Sequence, residues 1–423
     1  MNLALLLLGP GNLYKSRWYV TAIGVMLTLI GLIIVFDPTD TVTLITLEAF
    51  GWVMVIIGLA KIAFALLAGG GGMPSFFSFQ GIVLIVLGIA IADFPNQSGN
   101  AVPWLFAVAL LVNGLYQTLS SLVIRYPNWG WFLASGIAHL VVGGLLFFKW
   151  KLVITLVVPI FLGAGLILMG LTTLRAALRL GRYLKGAKSG DPEIAIRYFL
   201  DFHVANRFRK NYLMPEPEAP PEIHQEHDDL LVHVWTPTAI AKSDLDPNIV
   251  SRYVAARDKE GKYSVGHSAL EMNPDLYISH CDGDPTAFDT GDEVWQTLRS
   301  KDAPGEFLPS FEEEIKTYVM PSATIRFRNF NSRQLRTFWA MYRQETRYNF
   351  TNRNCSVAVA LALEAGLMGS LDTGQKRFRT LFYLLTNKDL WVAHFIRWKA
   401  REMIWTPGMM LEYAIALQRV VEE

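Results

Sequence analysis

Six long apolar stretches fill the first 175 residues, at about 18–36, 43–68, 76–92, 102–124, 130–148 and 152–174. Most approach the roughly 20 residues that an α-helix needs to cross a bilayer. The third is the shortest, and a repeat supports it. GVMLTLIG runs from Gly24 to Gly31, GIVLIVLG from Gly81 to Gly88 and GIAHLVVG from Gly136 to Gly143. Downstream of each comes a second glycine-headed stretch, GLAKIAFAL at Gly58, GLYQTLSSL at Gly114 and GLTTLRAAL at Gly170, 56 residues apart both times. The pattern predicts three copies of one helical hairpin. Each copy holds two spans, so all three point the same way. Glycines at such positions let membrane helices approach closely.

The pattern changes outside this region. Leu3 to Leu8 is apolar but has no basic residue before it and no cleavage site after it, so residues 1–16 read as an interfacial segment. An amphipathic stretch, Pro192 to Leu213, leads into the Pro/Glu-rich linker MPEPEAPPEIHQEHDD. Short elements then alternate: a strand at Leu230–Trp235, a helix at about Pro247–Arg257, and a strand, turn and strand over Tyr263–Asp282. The acidic Asp282–Glu314 segment reads as a long loop with short helices over a site. A strand at Ala323–Phe330 and a helix capped near Asn331 or Ser332 follow. The chain is thus expected to be a multidomain membrane protein, an all-α six-helix transmembrane bundle plus an α+β domain. Its parts are 1–16, 17–177, 178–229, 230–370 and a C-terminal pair of amphipathic helices, 371–423. In that last part Trp391, Trp398 and Trp405 stand among Lys388, Arg397, Lys399 and Arg401. The mixture suits either an anionic headgroup layer or packing on the soluble domain.

Composition agrees: 52% of residues are hydrophobic, too many for an ordinary soluble enzyme. A formal net charge of +1 gives no general attraction to nucleic acid, so membrane lipids are the expected partners, with a lipid, peptide or membrane-protein substrate. Basic residues at Lys15, Arg17, Arg125 and 175–188 oppose Asp37, Asp40 and Asp93 across the spans, while Lys149 and Lys151 dissent. The positive-inside rule therefore puts both termini and the soluble domain in the cytoplasm of a bacterial inner membrane. Inside the spans, His139 and the repeat-equivalent row Lys61, Gln117 and Thr173 are polar; a transport or proton-relay role is the minor reading, since Lys61 is close enough to its helix end to snorkel. His203, His224, His227 and His233 match no tight metal spacing, and neither metal nor cofactor is expected. Two cysteines make no disulfide framework, though counting alone leaves a Cys281–Cys355 bond open. Cys281 is taken as structural.

The chemistry centres on YNFTNRNCSVAVALALEAG, Tyr348 to Gly366, a polar loop entering an apolar helix. Cys355 falls in the first helical turn, where free N–H groups and the dipole favour a thiolate. Asn352 and Asn354 are plausible caps, and Asn354 supports the nucleophile in that role. A thiolate nucleophile needs a base, and the base needs an orienting group. With Asn273-Pro274 as a two-residue turn, Met272 faces Asp275 and His267 faces His280 on one side of the sheet. Glu271, four residues from His267 on the same strand face, is the alternative orienter.

GHSALEM, YISHCDGD and YNFTNRNC, in that order, resemble the circularly permuted papain-like hydrolases of the NlpC superfamily, including lecithin retinol acyltransferase-like enzymes and the N-terminal domain of a bacterial lipoprotein acyl-transferring family. The resemblance covers about Leu230 to Gly369. It implies Cys355 as nucleophile, His267 as base and His280 as orienting residue, for protease, amidase or acyl-transfer chemistry. Ser356-Val357-Ala358-Val359 replaces the family's extended NCxxFV, which leaves the substrate class open. The triplicated glycine-marked region, with Asp37-Pro38 after its first span and Phe94-Pro95 after its third, resembles the HdeD family of bacterial inner-membrane proteins, associated with acid and envelope stress. A rival expectation is a non-catalytic membrane stress-response or transport protein whose soluble domain binds a ligand or partner.

Overall fold

The computed structural model describes residues 17–36, 101–125, 129–148, 151–183, 229–240, 255–257, 263–283, 302–317, 319–371, 387–402 and 404–422, with single positions within 3–9, 48–59, 82–92 and 297–298. The amphipathic 192–213 stretch, the linker, Lys61, His203, His224 and His227 lie outside them. The chain divides into two units, one of residues 18–119 and 130–178, the other of residues 1–17, 120–129 and 179–423.

The first unit is helical: α1 (Arg17–Phe36), α2 (Ala101–Val123), α3 (Trp129–Phe147) and α4 (Lys151–Tyr183). The second and third apolar stretches fall mostly outside the described residues. Trp18–Phe36 and Trp129–Phe147 are long and apolar enough to cross a membrane. Their apolar side chains are exposed along much of their length, Trp18, Met26, Ile33, Trp131 and Val141 among them. Such a surface is costly in water and natural in lipid.

The repeat glycines mark the helix contacts. A Cβ on Gly31 would meet Gly163 O at 2.5 Å, one on Gly88 would meet Gly51 O at 2.6 Å, and one on Gly143 would meet Ala107 O at 3.1 Å. Likewise Gly24 faces Gly170, and Gly114 faces Gly136. Every such pair joins the first stretch of one repeat to the second stretch of the repeat before it, and the first repeat closes on the last. Among the described glycines, these contacts run in a cycle. His139 Nδ1 donates to Ser135 O at 2.6 Å, the usual local bond of a polar residue in a helix.

The second unit is α+β. A four-stranded antiparallel sheet has the order β5-β4-β1-β9, with β1 Leu230–Trp235, β4 His267–Met272, β5 Leu276–Ile278 and β9 Ala323–Phe327. Alternation along the strands gives two faces. Leu230, Val232, Val234, Leu270, Met272, Ile278, Ile325 and Phe327 line one and are buried under three helices, α7 (Ser332–Tyr342), α8 (Cys355–Gly366) and α10 (Pro407–Glu422). Trp235, Ala269 and Tyr277 line the other, under Phe311 and Val319. Shorter elements complete the unit: α5 (Pro237–Ile240), β2 (Ala256–Arg257), β3 (Tyr263–Ser264), β6 (His280–Asp282), β7 (Asp302–Ala303), β8 (Gly305–Phe307), α6 (Phe311–Thr317), β10 (Tyr348–Asn349) and α9 (Lys388–Glu402).

Two expectations change here, and one open choice is decided. Ala256–Arg257, placed at the end of a helix by pattern, pair as a strand with Tyr263–Ser264. Leu3, Leu6 and Leu7, expected at a lipid interface, are buried in the second unit's core, where Gly369 N–H donates to Leu6 O. The C-terminal helices, for which headgroup contact and packing on the soluble domain were both open, pack on the same core: Trp405 is buried, and buried Arg397 donates to Glu364 at 2.6 and 2.7 Å. Tyr413 OH completes that pairing at 2.7 Å from Glu364 Oε1. Trp391 and Phe395 remain on the exposed side of α9.

Candidate functional site

Cys355 opens α8, and the loop before it is bonded throughout. Asn354 is the N-cap, its side chain accepting from Val357 N–H at 2.9 Å, while its Nδ2 donates to Phe350 O at 2.8 Å and Trp405 O at 2.9 Å. One asparagine therefore ends the loop, starts the helix and ties both to the C-terminal segment. Upstream, Asn349 Oδ1 accepts from Thr351 N–H and Oγ1, and Arg353 donates to Arg347 O and Tyr342 O. Cys355 is held at a buried helix start whose first N–H groups have no helical acceptor.

His267 begins β4. Gly266 before it takes φ +79, and a Cβ there would lie 2.5 Å from Trp235 O, so only glycine lets the chain turn into the strand. β4 pairs with β5 only from Leu270 onward, which leaves its edge open beside His267 and Ser268. The Cys355 sulfur occupies this edge, accepting from the Ser268 backbone N–H and sharing a hydrogen bond with the His267 ring. Ser268 and Ser356 hydroxyls meet at 3.0 Å alongside.

The group behind His267 is Glu314. Its Oε1 stands 3.0 Å from His267 Nε2, and the same nitrogen is 3.0 Å from Ser279 Oγ. Glu314 Oε2 accepts from Tyr277 OH at 3.1 Å. In the sequence Glu314 stands in an acidic segment expected to be a loop, with no mark of a site. The loop instead folds in part as α6, whose Phe311 stacks on His233 at 4.6 Å and whose next inward position, three residues on, is Glu314. That Phe-x-x-Glu spacing was the available signal.

His280 and Glu271 take other partners. The turn holds three residues, Asn273 to Asp275, with Met272 opposite Leu276, so the register differs by one from the two-residue reading. A one-residue slip moves side chains to the other face. Extended past Ile278, the observed register sets Cys281 rather than His280 opposite His267, and Ser279 Oγ reaches His267 Nε2 at 3.0 Å. His280 lies between Phe307, Tyr342 and Tyr348, with Nδ1 3.1 Å from Tyr342 OH and Nε2 3.1 Å from Thr346 O. Burial pushes its pKa down to about 3, keeping it neutral. Glu271 meets His233 at 2.8 Å, and His233 also meets Thr324 at 3.0 Å. Cys281, expected to be structural, lies 3.6 Å from Ser279 Oγ, with its sulfur beside the His267 and Glu314 side chains.

The electrostatics follow from this crowding. Burial opposes charge at Cys355, but the His267 cation, its hydrogen bond and the Ser268 N–H outweigh it and hold the thiol below its ordinary value. Burial likewise opposes charge at His267, and the negative charges of its sulfur and carboxylate neighbours raise it well above the usual imidazole range. Glu314 is held below its ordinary value against burial, chiefly by His267. Cys281 is pushed up by burial and stays a thiol. The arrangement favours a thiolate–imidazolium pair backed by a carboxylate.

Residues 79–148 match the family model described as a short repeat of unknown function (DUF308), the HdeD-like membrane domain. No curated protein and no solved structure matches the chain. The match spans the third, fourth and fifth apolar stretches, and with the two apolar helices it marks a membrane-type domain.

Proposed function

We propose that this chain is a membrane-anchored thiol hydrolase or acyltransferase, read as a circularly permuted papain-like enzyme. The observation that carries the reading is the Cys355 sulfur at a capped helix start, bonded to a His267 ring that has Glu314 on its far side. In this mechanism the thiolate attacks an ester, amide or peptide carbonyl. The carbonyl π electrons move to oxygen, and the oxyanion forms beside the Cys355 N–H at the helix start. As the carbonyl–leaving-group bond breaks, His267 gives its proton to the leaving group. Water or an amine then gives a proton to His267 and attacks the thioester, releasing Cys355. Glu314 keeps the imidazolium oriented and charged.

The membrane-type domain favours substrates that reside in or on the bilayer: lipids, lipoproteins or membrane proteins. One unit gathers residues 1–17, 120–129 and 179–423, and Arg125 N–H donates to Leu298 O within it. This supports placing the N-terminus, that connection and the α+β region on one side, which the basic residues make the cytoplasmic side of an inner membrane. A reporter fused at Glu423 tests the side.

The test of chemistry is acyl transfer from an activated p-nitrophenyl ester, read by intact mass and peptide mapping of the full chain in detergent. One acyl group is expected on Cys355, absent in Cys355→Ser and strongly reduced in His267→Ala. No adduct on Cys355, or one that forms equally fast in His267→Ala, would overturn the reading in favour of a non-catalytic binding domain.

A further inference from the structure

Beside the thiol lies a second arrangement. A His267 ring nitrogen, Cys281 Sγ and a Glu314 carboxylate oxygen fall within 4.8 Å of one another, and all three residues are buried. Glu314 is fully buried, its Oε1 3.0 Å from His267 Nε2, and that nitrogen is also 3.0 Å from Ser279 Oγ. A buried carboxylate needs a proton or a cation beside it, and a metal ion can take the place of the imidazolium charge that His267 supplies.

We infer that His267, Cys281 and Glu314 form a binding site for a soft divalent cation, with zinc as the best match. Imidazole, thiolate and carboxylate are the usual zinc donor set, and the sulfur disfavours magnesium and calcium. Zinc bond lengths of about 2.0–2.3 Å put tetrahedral ligand atoms roughly 3.3–3.8 Å apart, so the longest separation here closes by about 1 Å. Charge balances as well. Zn²⁺ displaces one proton from the His267 imidazolium and one from the Cys281 thiol, so the buried site gains no net charge. Water fills the fourth position. A metal on Nε2 also takes His267 away from its carboxylate and leaves Cys355 without a working base. That consequence, reversible silencing of the thiol, rests on the proposed function; the binding site does not.

The experiment titrates the full chain, purified in detergent without chelator, with Co²⁺ and follows absorption. The expected result is one saturating equivalent, with a thiolate-to-cobalt charge-transfer band and the strong visible bands of four-coordinate cobalt, abolished by Zn²⁺ and untouched by Mg²⁺. Cys281→Ser loses the charge-transfer band, and Glu314→Gln weakens binding by about tenfold or more. Cys355→Ser keeps the band, although it removes the proposed nucleophile, so failure of the metal site and failure of the enzyme reading give different results. No band in the wild type, a band that survives Cys281→Ser, or a Glu314→Gln affinity equal to wild type would each overturn the site. The last holds even if the cysteine variant does not fold.

Discussion

Replacing Glu314 by glutamine removes one negative charge and little else. The amide oxygen can still accept from Tyr277 OH, which now bonds Oε2 at 3.1 Å, so the packing of α6 need not change. What is lost is the charge 3.0 Å from His267 Nε2. An opposite charge at such a distance shifts a titrating group by about 1–3 pKa units. At 1.36 kcal/mol per unit this is about 1.4–4 kcal/mol, or roughly 10- to 1000-fold in the population of the charged pair. The sign follows from the site. Thiolate–imidazolium and thiol–imidazole carry the same number of protons, and losing Glu314 disfavours only the first. The assay is iodoacetamide modification of Cys355 against pH, in EDTA to keep metals out, with each cysteine quantified by peptide mapping. Wild type is expected to react from neutral pH down to the depressed thiol value. Glu314→Gln should lose about 10- to 1000-fold near pH 7 and recover the wild-type rate at alkaline pH, where an unassisted thiol ionises. Damage to the fold would lower the alkaline plateau too. Superimposable profiles would refute the role given to Glu314.

Other perturbations separate the remaining assignments. His280→Gln keeps a group able to bond Tyr342, and its Cys355 alkylation rate should stay within about threefold of wild type, under ~0.7 kcal/mol. A loss of a hundredfold would restore His280 to the site. Because the folded state holds His280 near 3, against 6.5 when free, the unfolded chain takes up the proton first; wild-type stability falls as pH drops from about 6.5 toward about 3, and acid denaturation of His280→Gln should show a shallower slope. Asn354→Ala removes a cap and two donated bonds, for a loss of about 1–3 kcal/mol in denaturant titration; no change would mean that the loop is held elsewhere. In the helical unit, Gly31→Ala forces a Cβ to 2.5 Å from Gly163 O and should lower the melting temperature, whereas Gly144→Ala and Gly165→Ala meet nothing within 4 Å and should be neutral or stabilising by up to about 1 kcal/mol. Glu364→Ala strands buried Arg397, at about 3–5 kcal/mol, and Glu364→Leu with Arg397→Met should recover much of that loss.

Local rules carried the placement of Cys355 at a helix start and of Asn354 and Asn331 as caps, because caps and helix starts are written in neighbouring residues. The 56-residue glycine repeat was equally legible, but not which copies touch, since packing between repeats leaves no mark in the spacing of any one. His280 was placed beside His267 through one position of register. Asp275 joins the turn, where it forms a two-pronged pair with Arg336 at 2.7 Å, and the extra residue sends His280 into an aromatic pocket. No local signal in the hairpin announces an arginine 61 residues away. Glu314 stood in a run of three glutamates, and only the phase of a short helix anchored by Phe311 selects it. For Arg397 and Trp405 the sequence leaves headgroup contact and packing both open, because composition does not reveal that Glu364 and Asn354 are waiting for them.

The most direct test of the central claim is the relative alkylation rate of the two cysteines in one molecule, measured near pH 7 in EDTA with isotope-coded iodoacetamide. Both are nearly buried, so access differs little, while their electrostatics are opposed. Cys355 is expected to react much faster than Cys281, and His267→Ala should bring the two rates together. Equal rates in the wild type, or a Cys355 rate that ignores the loss of His267, would contradict the account.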